Sequence, residues 1–181
     1  APESEPTEAA AAADAAPKEP AAGAAEENEG LRPGVTQATV TGVVDGDTID
    51  VEYLAGAELP ATRVRLIGVD TPEVHGQTEA YGAEASAFTK EQLTGKTVWL
   101  ERDVSDTDRY GRALRYVWLT EPPAEPTEDD VRQHMFNAIL VLGGYAQAST
   151  YPPDVRWSEL FVRLEREARE AGRGTLEPTR R

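Results

Sequence analysis

The 181 residues carry 18 Lys+Arg against 33 Asp+Glu, a net charge of −15, and no cysteine. That length gives room for one ordinary domain core, and the composition excludes disulfides, thiolate metal sites and cysteine nucleophiles. No apolar run is long enough for a membrane-spanning helix, and the surplus of acid argues against a nucleic-acid binder unless positive charge is concentrated locally.

Residues 1–30 are Ala, Glu and Pro in low-complexity order, with eight acids against Lys18 and nothing apolar larger than alanine. Such a segment cannot bury enough surface to offset the entropy of ordering it, so residues 1–34 are predicted to be a disordered linker. The chain starts at Ala1 rather than methionine, which suggests a processed product that is secreted or faces the cell envelope. The first 30 residues account for −7 of the charge, so the expected domain, residues 35–175, is itself acidic. A polyanion would need a local positive patch there, helped by a metal. Residues 176–181 are predicted to be a short disordered tail.

From Ala38 onward, short alternating runs rich in Val, Ile, Thr and aromatics predict strands over Ala38–Val44, Thr48–Leu54, Arg63–Val69, Thr97–Glu101 and Ala113–Leu119. Helical spacing predicts helices over Glu79–Leu93, with Tyr81, Ala85 and Phe88 on one face, over Asn137–Leu142, and over Trp157–Ala171. The last carries Glu159/Arg163 and Glu165/Arg169 at i,i+4, which reads as a salt-bridged solvated face. Residues 121–133 hold three prolines and no clear period, so an inserted surface loop is expected there. Together these predict an α+β fold, a five-stranded β-barrel with three α-helices packed on it.

Charge gathers where strands end. Asp45-Gly46-Asp47-Thr48 makes one acidic turn; Val64 to Glu73 runs as an apolar strand into Asp70, Thr71, Pro72 and Glu73. A hairpin turning near residues 58 and 59 would set Asp47 opposite Asp70, both in phase with core-directed residues. Two converging carboxylates need a proton or a cation between them, and a hard ion such as calcium, which takes about six to eight oxygens, fits that need. Either acidic motif alone reads as a polar turn. Arg65 is out of phase with Asp70, so bringing them together requires a bend, predicted at Gly68. Asp108-Arg109-Tyr110-Gly111-Arg112 supplies further arginines. The Asp106–Gly111 stretch is not an EF-hand, because Val117 stands where the bidentate glutamate belongs. His75 and His134 lack zinc-ligand spacing; Tyr116 and Tyr145 read as structural.

Asp45-Gly46-Asp47-Thr48, Arg65-Leu66-Ile67-Gly68-Val69-Asp70-Thr71-Pro72-Glu73, Tyr81-Gly82-Ala83-Glu84-Ala85-Ser86-Ala87-Phe88 and Asp108-Arg109-Tyr110-Gly111-Arg112 resemble, in order and spacing, the motifs of the staphylococcal nuclease family. The resemblance covers residues 38–175. It implies an OB-fold barrel and a calcium-dependent phosphodiesterase that cuts DNA and RNA, single strands favoured, to 3′-phosphate ends, working as a monomer. Carried across residue by residue, it implies Asp47, Asp70 and the Thr71 carbonyl as calcium ligands, Arg65 and Arg112 on the phosphate, and Glu73 as general base. Arg109, Tyr110 and Tyr151 then fall on the substrate-binding side. Unlike the lysine-rich family pattern, Val74–Thr78 holds no lysine, and near Tyr151 there is one tyrosine rather than two. Two other readings fit the same residues: an OB-fold module that binds single-stranded nucleic acid without cutting it, and a calcium-binding interaction domain.

Overall fold

The computed structural model describes residues 31–54, 57, 59–72 and 82–174. β1 (Val35–Asp45) is long enough to serve two neighbours. Its first half pairs antiparallel with β5 (Thr97–Glu101) and the rest with β2 (Thr48–Tyr53). Register slips between Val40 and Gly42 and between Val43 and Asp45 bend it, as bulges do when a sheet must curl. β3 (Arg63–Leu66) continues from β2, β6 (Ala113–Trp118) runs parallel to β3, and β5 closes the sheet in the order β1-β2-β3-β6-β5. This is the expected five-stranded barrel. Alternate residues fill it: Ile49 and Val51, Val64 and Leu66, Val98 and Leu100 are all buried, following the two-residue period of the pleat.

The expected third strand does not run through to Val69. Gly68 takes φ 78°, and the chain turns out of the barrel into β4 (Val69–Asp70), which pairs with β7 (Gln147–Ala148). The predicted bend at Gly68 is therefore present. A side chain there would strain the backbone and meet the Phe161 ring at 2.8 Å.

Four helices are present among the described residues, one more than predicted. α1 (Gly82–Leu93) sets Ala85, Thr89 and Leu93 against β1 at four-residue spacing, and Gly95 at φ 76° ends it. The expected loop over 121–133 instead contains the start of α2 (Glu128–His134). Proline-rich composition hid a capping box: Thr127 Oγ1 accepts the Asp130 N–H, the Asp130 carboxylate accepts the Thr127 N–H, and Val131 is buried. α3 (Phe136–Leu142) is buried on nearly every side, between β6 and α4 (Ser158–Glu170). α4 buries Leu160, Phe161, Leu164 and Ala168. On its outer face Glu165 pairs with Arg169 as expected, but Arg163 reaches Glu128 of α2 rather than Glu159, and Glu167 pairs with Arg132. The unforeseen helix captures those partners.

Asn137 of α3 ties the elements beneath the site together. Fully buried, it accepts the Val117 N–H at 2.8 Å and donates to the Ile67 carbonyl at 2.9 Å. Tyr145 is structural as expected, stacked on Phe88 with centroids 4.2 Å apart, and Tyr116 is buried with its hydroxyl donating to Asp103.

Candidate active site

The β2–β3 register pairs Thr48 with Arg65 and Asp50 with Arg63. Asp47 therefore lies across from Leu66, whose N–H donates to the Asp47 carbonyl at 2.9 Å, and not across from Asp70. The hairpin turns earlier than expected, so the predicted direct pairing of the two aspartates is wrong by four residues. Convergence comes by another route. The turn at Gly68 swings the chain back, and the Thr71 N–H donates to Asp47 Oδ2 at 2.9 Å.

Arg65 is the strut of that turn. Its Nη1 donates to the Leu66 and Val69 carbonyls at 2.9 and 2.8 Å, spanning Gly68. Its Nη2 lies 3.3 Å from Asp47 Oδ2 and 3.4 Å from Asp70 Oδ1. One guanidinium thus stands between two carboxylates that would otherwise repel. Asp47 is buried while the Asp70 side chain is 56% exposed, so one carboxylate is fixed in the fold and the other faces solvent.

The acidic turn is clamped from behind by α1. Thr89 Oγ1 donates to the Gly46 carbonyl at 2.7 Å. A β-carbon at Gly46 would stand 2.8 Å from Thr71 Cγ2 and 3.0 Å from Ala85 Cβ, so helix and turn meet only because residue 46 has none. A hollow of about 170 Å³ remains, lined by Asp45, Asp47, Thr48, Arg65, Asp70, Thr71 and Arg112.

Arg112 comes from the loop before β6. Asp108 organises that loop: its Oδ1 accepts the Tyr110 and Arg112 N–H groups and its Oδ2 takes Arg112 Nε at 2.6 Å, with Gly111 at φ 82°. Next to the hollow opens a cleft of about 530 Å³, whose lining includes Arg65, Arg109, Tyr110, Arg112 and Tyr151. Tyr110 and Tyr151 are 68% and 63% exposed, open to stacking. Arg109 donates to the Tyr110 hydroxyl at 2.7 Å, and the Arg109 and Arg112 guanidinium carbons lie 4.8 and 5.4 Å from its ring centroid. The two cations pin the ring.

The structure thus brings together Asp47, Asp70, Thr71, Arg65 and Arg112, and sets Arg109, Tyr110 and Tyr151 along the adjoining cleft. Glu73, His75 and Tyr81 lie outside the described residues. Sequence reading missed Thr89 and Asp154. The Asp154 carboxylate accepts the Val104 and Ser105 N–H groups at 3.0 and 2.8 Å, joining the walls of the cleft. A hydroxyl in step with Ala85 and Leu93 on one helix face was the only signal for Thr89; Asp154 gave none beyond its turn setting after Pro152-Pro153.

Besides Arg65 and Arg112, the polar side chains that line the hollow carry oxygens: the carboxylates of Asp45, Asp47 and Asp70 and the hydroxyls of Thr48 and Thr71, the last buried and without a hydrogen-bond partner among the described residues. That set suits a hard cation rather than a soft one. Among the described residues no three acidic or imidazole groups form a ligand cluster by themselves, so a cation here would complete its shell with neutral oxygens and water.

A five-stranded barrel with carboxylates and arginines gathered on turns at one end defines the class, a barrel protein with a mixed acid and arginine site at its rim. Residues 63–175 match the family model described as staphylococcal nuclease homologue, and the chain belongs to that family. It is 40% identical over 131 residues to the thermonuclease of Staphylococcus intermedius and 38% identical over 131 residues to that of Staphylococcus hyicus, in each case covering 71% of this chain and 68% of the relative. A protein of Escherichia coli named ParB is 34% identical over 134 residues, 72% of this chain and 66% of its own.

Proposed function

We propose that the chain is a nuclease, a calcium-dependent phosphodiesterase that hydrolyses DNA and RNA, single strands favoured, to 3′-phosphate ends. The observation that carries the reading is the approach of Arg65 to both Asp47 and Asp70 on the wall of a hollow that Arg112 also lines. Two relatives named thermonuclease support the reaction class.

Hydrolysis of a phosphodiester needs a water in line with the leaving oxygen and stabilisation of charge on the non-bridging oxygens. Arg65 and Arg112 hold those oxygens. Their forked guanidinium groups suit them to it, since each donates to two oxygens and keeps its charge at any working pH. In the structure Arg112 is held through Nε, which leaves its terminal nitrogens for phosphate. Glu73 accepts the proton of the attacking water. Asp47, Asp70 and the Thr71 carbonyl hold calcium, which supplies, when bound, positive charge against the phosphate oxygens. Arg109, Tyr110 and Tyr151 hold the flanking nucleotide. Secretion or exposure at the cell envelope belongs to the same proposal, on the composition of the first 30 residues.

The test is cleavage of single-stranded DNA with calcium, with chelator, and by Glu73→Gln, with the end groups of the products determined. Calcium-dependent cutting to 3′-phosphate ends, reduced by two to three decades or so in the variant, is expected. Strand binding without cutting at any calcium concentration would replace the enzyme with a binding module.

A further inference from the structure

A third hollow, a groove of about 1030 Å³, adjoins the site and is lined in part by Asp50, Tyr53, Thr62, Arg63, Tyr110 and Arg112. Arg112 lines this groove, the small hollow and the cleft alike, so the three form one track that passes across it. Tyr110 stands where groove and cleft meet.

Arg63 and Arg65 lie two residues apart on β3 and so project from the same face, about 6.7 Å apart along the strand. That step is comparable to the distance between successive phosphates of an extended single strand. The parallel register that sets Val64 beside Ala113 puts Arg112 next to Arg63. Three arginines therefore surround the point where the track leaves the site. Arg63 is poised rather than buried: its side chain is 51% exposed, with Nε and Nη2 donating to the two Asp50 oxygens at 2.8 and 3.2 Å. Asp50 fixes the fork and leaves three of its five N–H groups unused in that pair. Asp50 and Glu52 also line the groove, so the attraction is confined to Arg63 and Arg112 rather than spread over a basic surface.

We infer that Arg63 is a substrate-positioning residue that holds a second phosphate, one nucleotide along the same strand from the phosphate at Arg65 and Arg112. This rests on the nuclease reading for which phosphate is attacked. The contact itself is tested by binding in chelator, where nothing is cut. Fluorescence anisotropy would follow a labelled oligothymidylate of about twelve nucleotides, within the range one OB barrel covers, against a labelled dinucleotide, over a salt series. For Arg63→Ala the preference for the long strand over the dinucleotide should fall about tenfold, and the slope of log affinity against log salt should become shallower by about 0.7, one single-strand phosphate contact. Arg63→Lys should restore the slope. Asp50→Asn breaks the same ion pair but keeps the guanidinium, and should keep both preference and slope. Unchanged preference and slope in Arg63→Ala overturns the proposal, as does an equal loss in Asp50→Asn, which would trace the effect to the ion pair. Failure of the wild-type protein to cut with calcium, with these binding results intact, would sink the nuclease reading alone.

Discussion

At the scale of single residues, Arg65 does two jobs that separate on substitution. It braces the Gly68 turn through two carbonyls and stands against Asp47 and Asp70. Lysine keeps the charge but cannot reach two carbonyls and two carboxylates from one planar group. Arg65→Lys is expected to lower kcat by two to three decades or so, the scale of losing one positioned donor, and to lower the thermal midpoint as well. Steady-state kinetics and melting of the same sample check both, and an intact rate would remove Arg65 from the reaction. Asp47, Asp70 and Arg65 were legible in the sequence because Asp47 and Asp70 gather charge where strands end and Arg65 interrupts an apolar strand. Asn137 and Asp154 were not, because the groups that satisfy them lie 20 and 70 residues away for Asn137 and about 50 for Asp154, and no local pattern records a distant partner.

At the scale of elements, the strands were legible from alternation, but their register was not. A shift in the hairpin changes partners without changing which residues alternate, provided the shift is even, and the shift here is four. The turn at Gly68 was legible because phase demanded it, and it gives a sharp test. Gly68→Ala forces a left-handed backbone onto a side chain that also meets the Phe161 ring at 2.8 Å, so a loss of about 1 to 3 kcal/mol is expected in urea unfolding. Since Asp70 and Thr71 follow directly, the protection against heat that the proposed calcium site predicts should weaken with it. Helix α2 illustrates the opposite failure, in which three prolines masked a Thr127 to Asp130 capping box. Thr127→Ala should cost about 1 kcal/mol while leaving cleavage kinetics unaltered, because α2 lies against α4 through Glu128–Arg163 and Arg132–Glu167 and lines none of the three hollows. A rate change in that variant would show that α2 communicates with the site.

At the scale of the whole molecule, a charge of −15 and a polyanionic substrate pull in opposite directions, and the structure meets this by gathering Arg63, Arg65, Arg109 and Arg112 on three hollows that share Arg112. The same charge bears on alkaline stability, where two causes predict the same sign and salt separates them. Burial, helped by Asp106 and opposed by Arg115, pushes the Tyr53 hydroxyl from its ordinary 10.0 up to about 12. Burial and the hydrogen bond to Asp103 drive Tyr116 upward as well. Above pH 10 the unfolded chain releases these protons while the folded chain keeps them, so the folded state binds more protons and stability falls as pH rises. The loss should begin near pH 10 and continue through about pH 12 as Tyr53 ionises in the fold. General self-repulsion of an increasingly negative chain would also lower stability there, but salt screens it within a Debye length of about 8 to 10 Å. Desolvation of the half-buried Tyr53 and buried Tyr116 hydroxyls is screened far less. The urea midpoint is therefore expected to fall between pH 10 and 12 by nearly the same amount at low and high salt, with tyrosinate absorbance rising in step with unfolding. Tyr53→Phe should flatten part of the fall. If molar salt abolished it, net charge rather than the two tyrosines would set the alkaline limit.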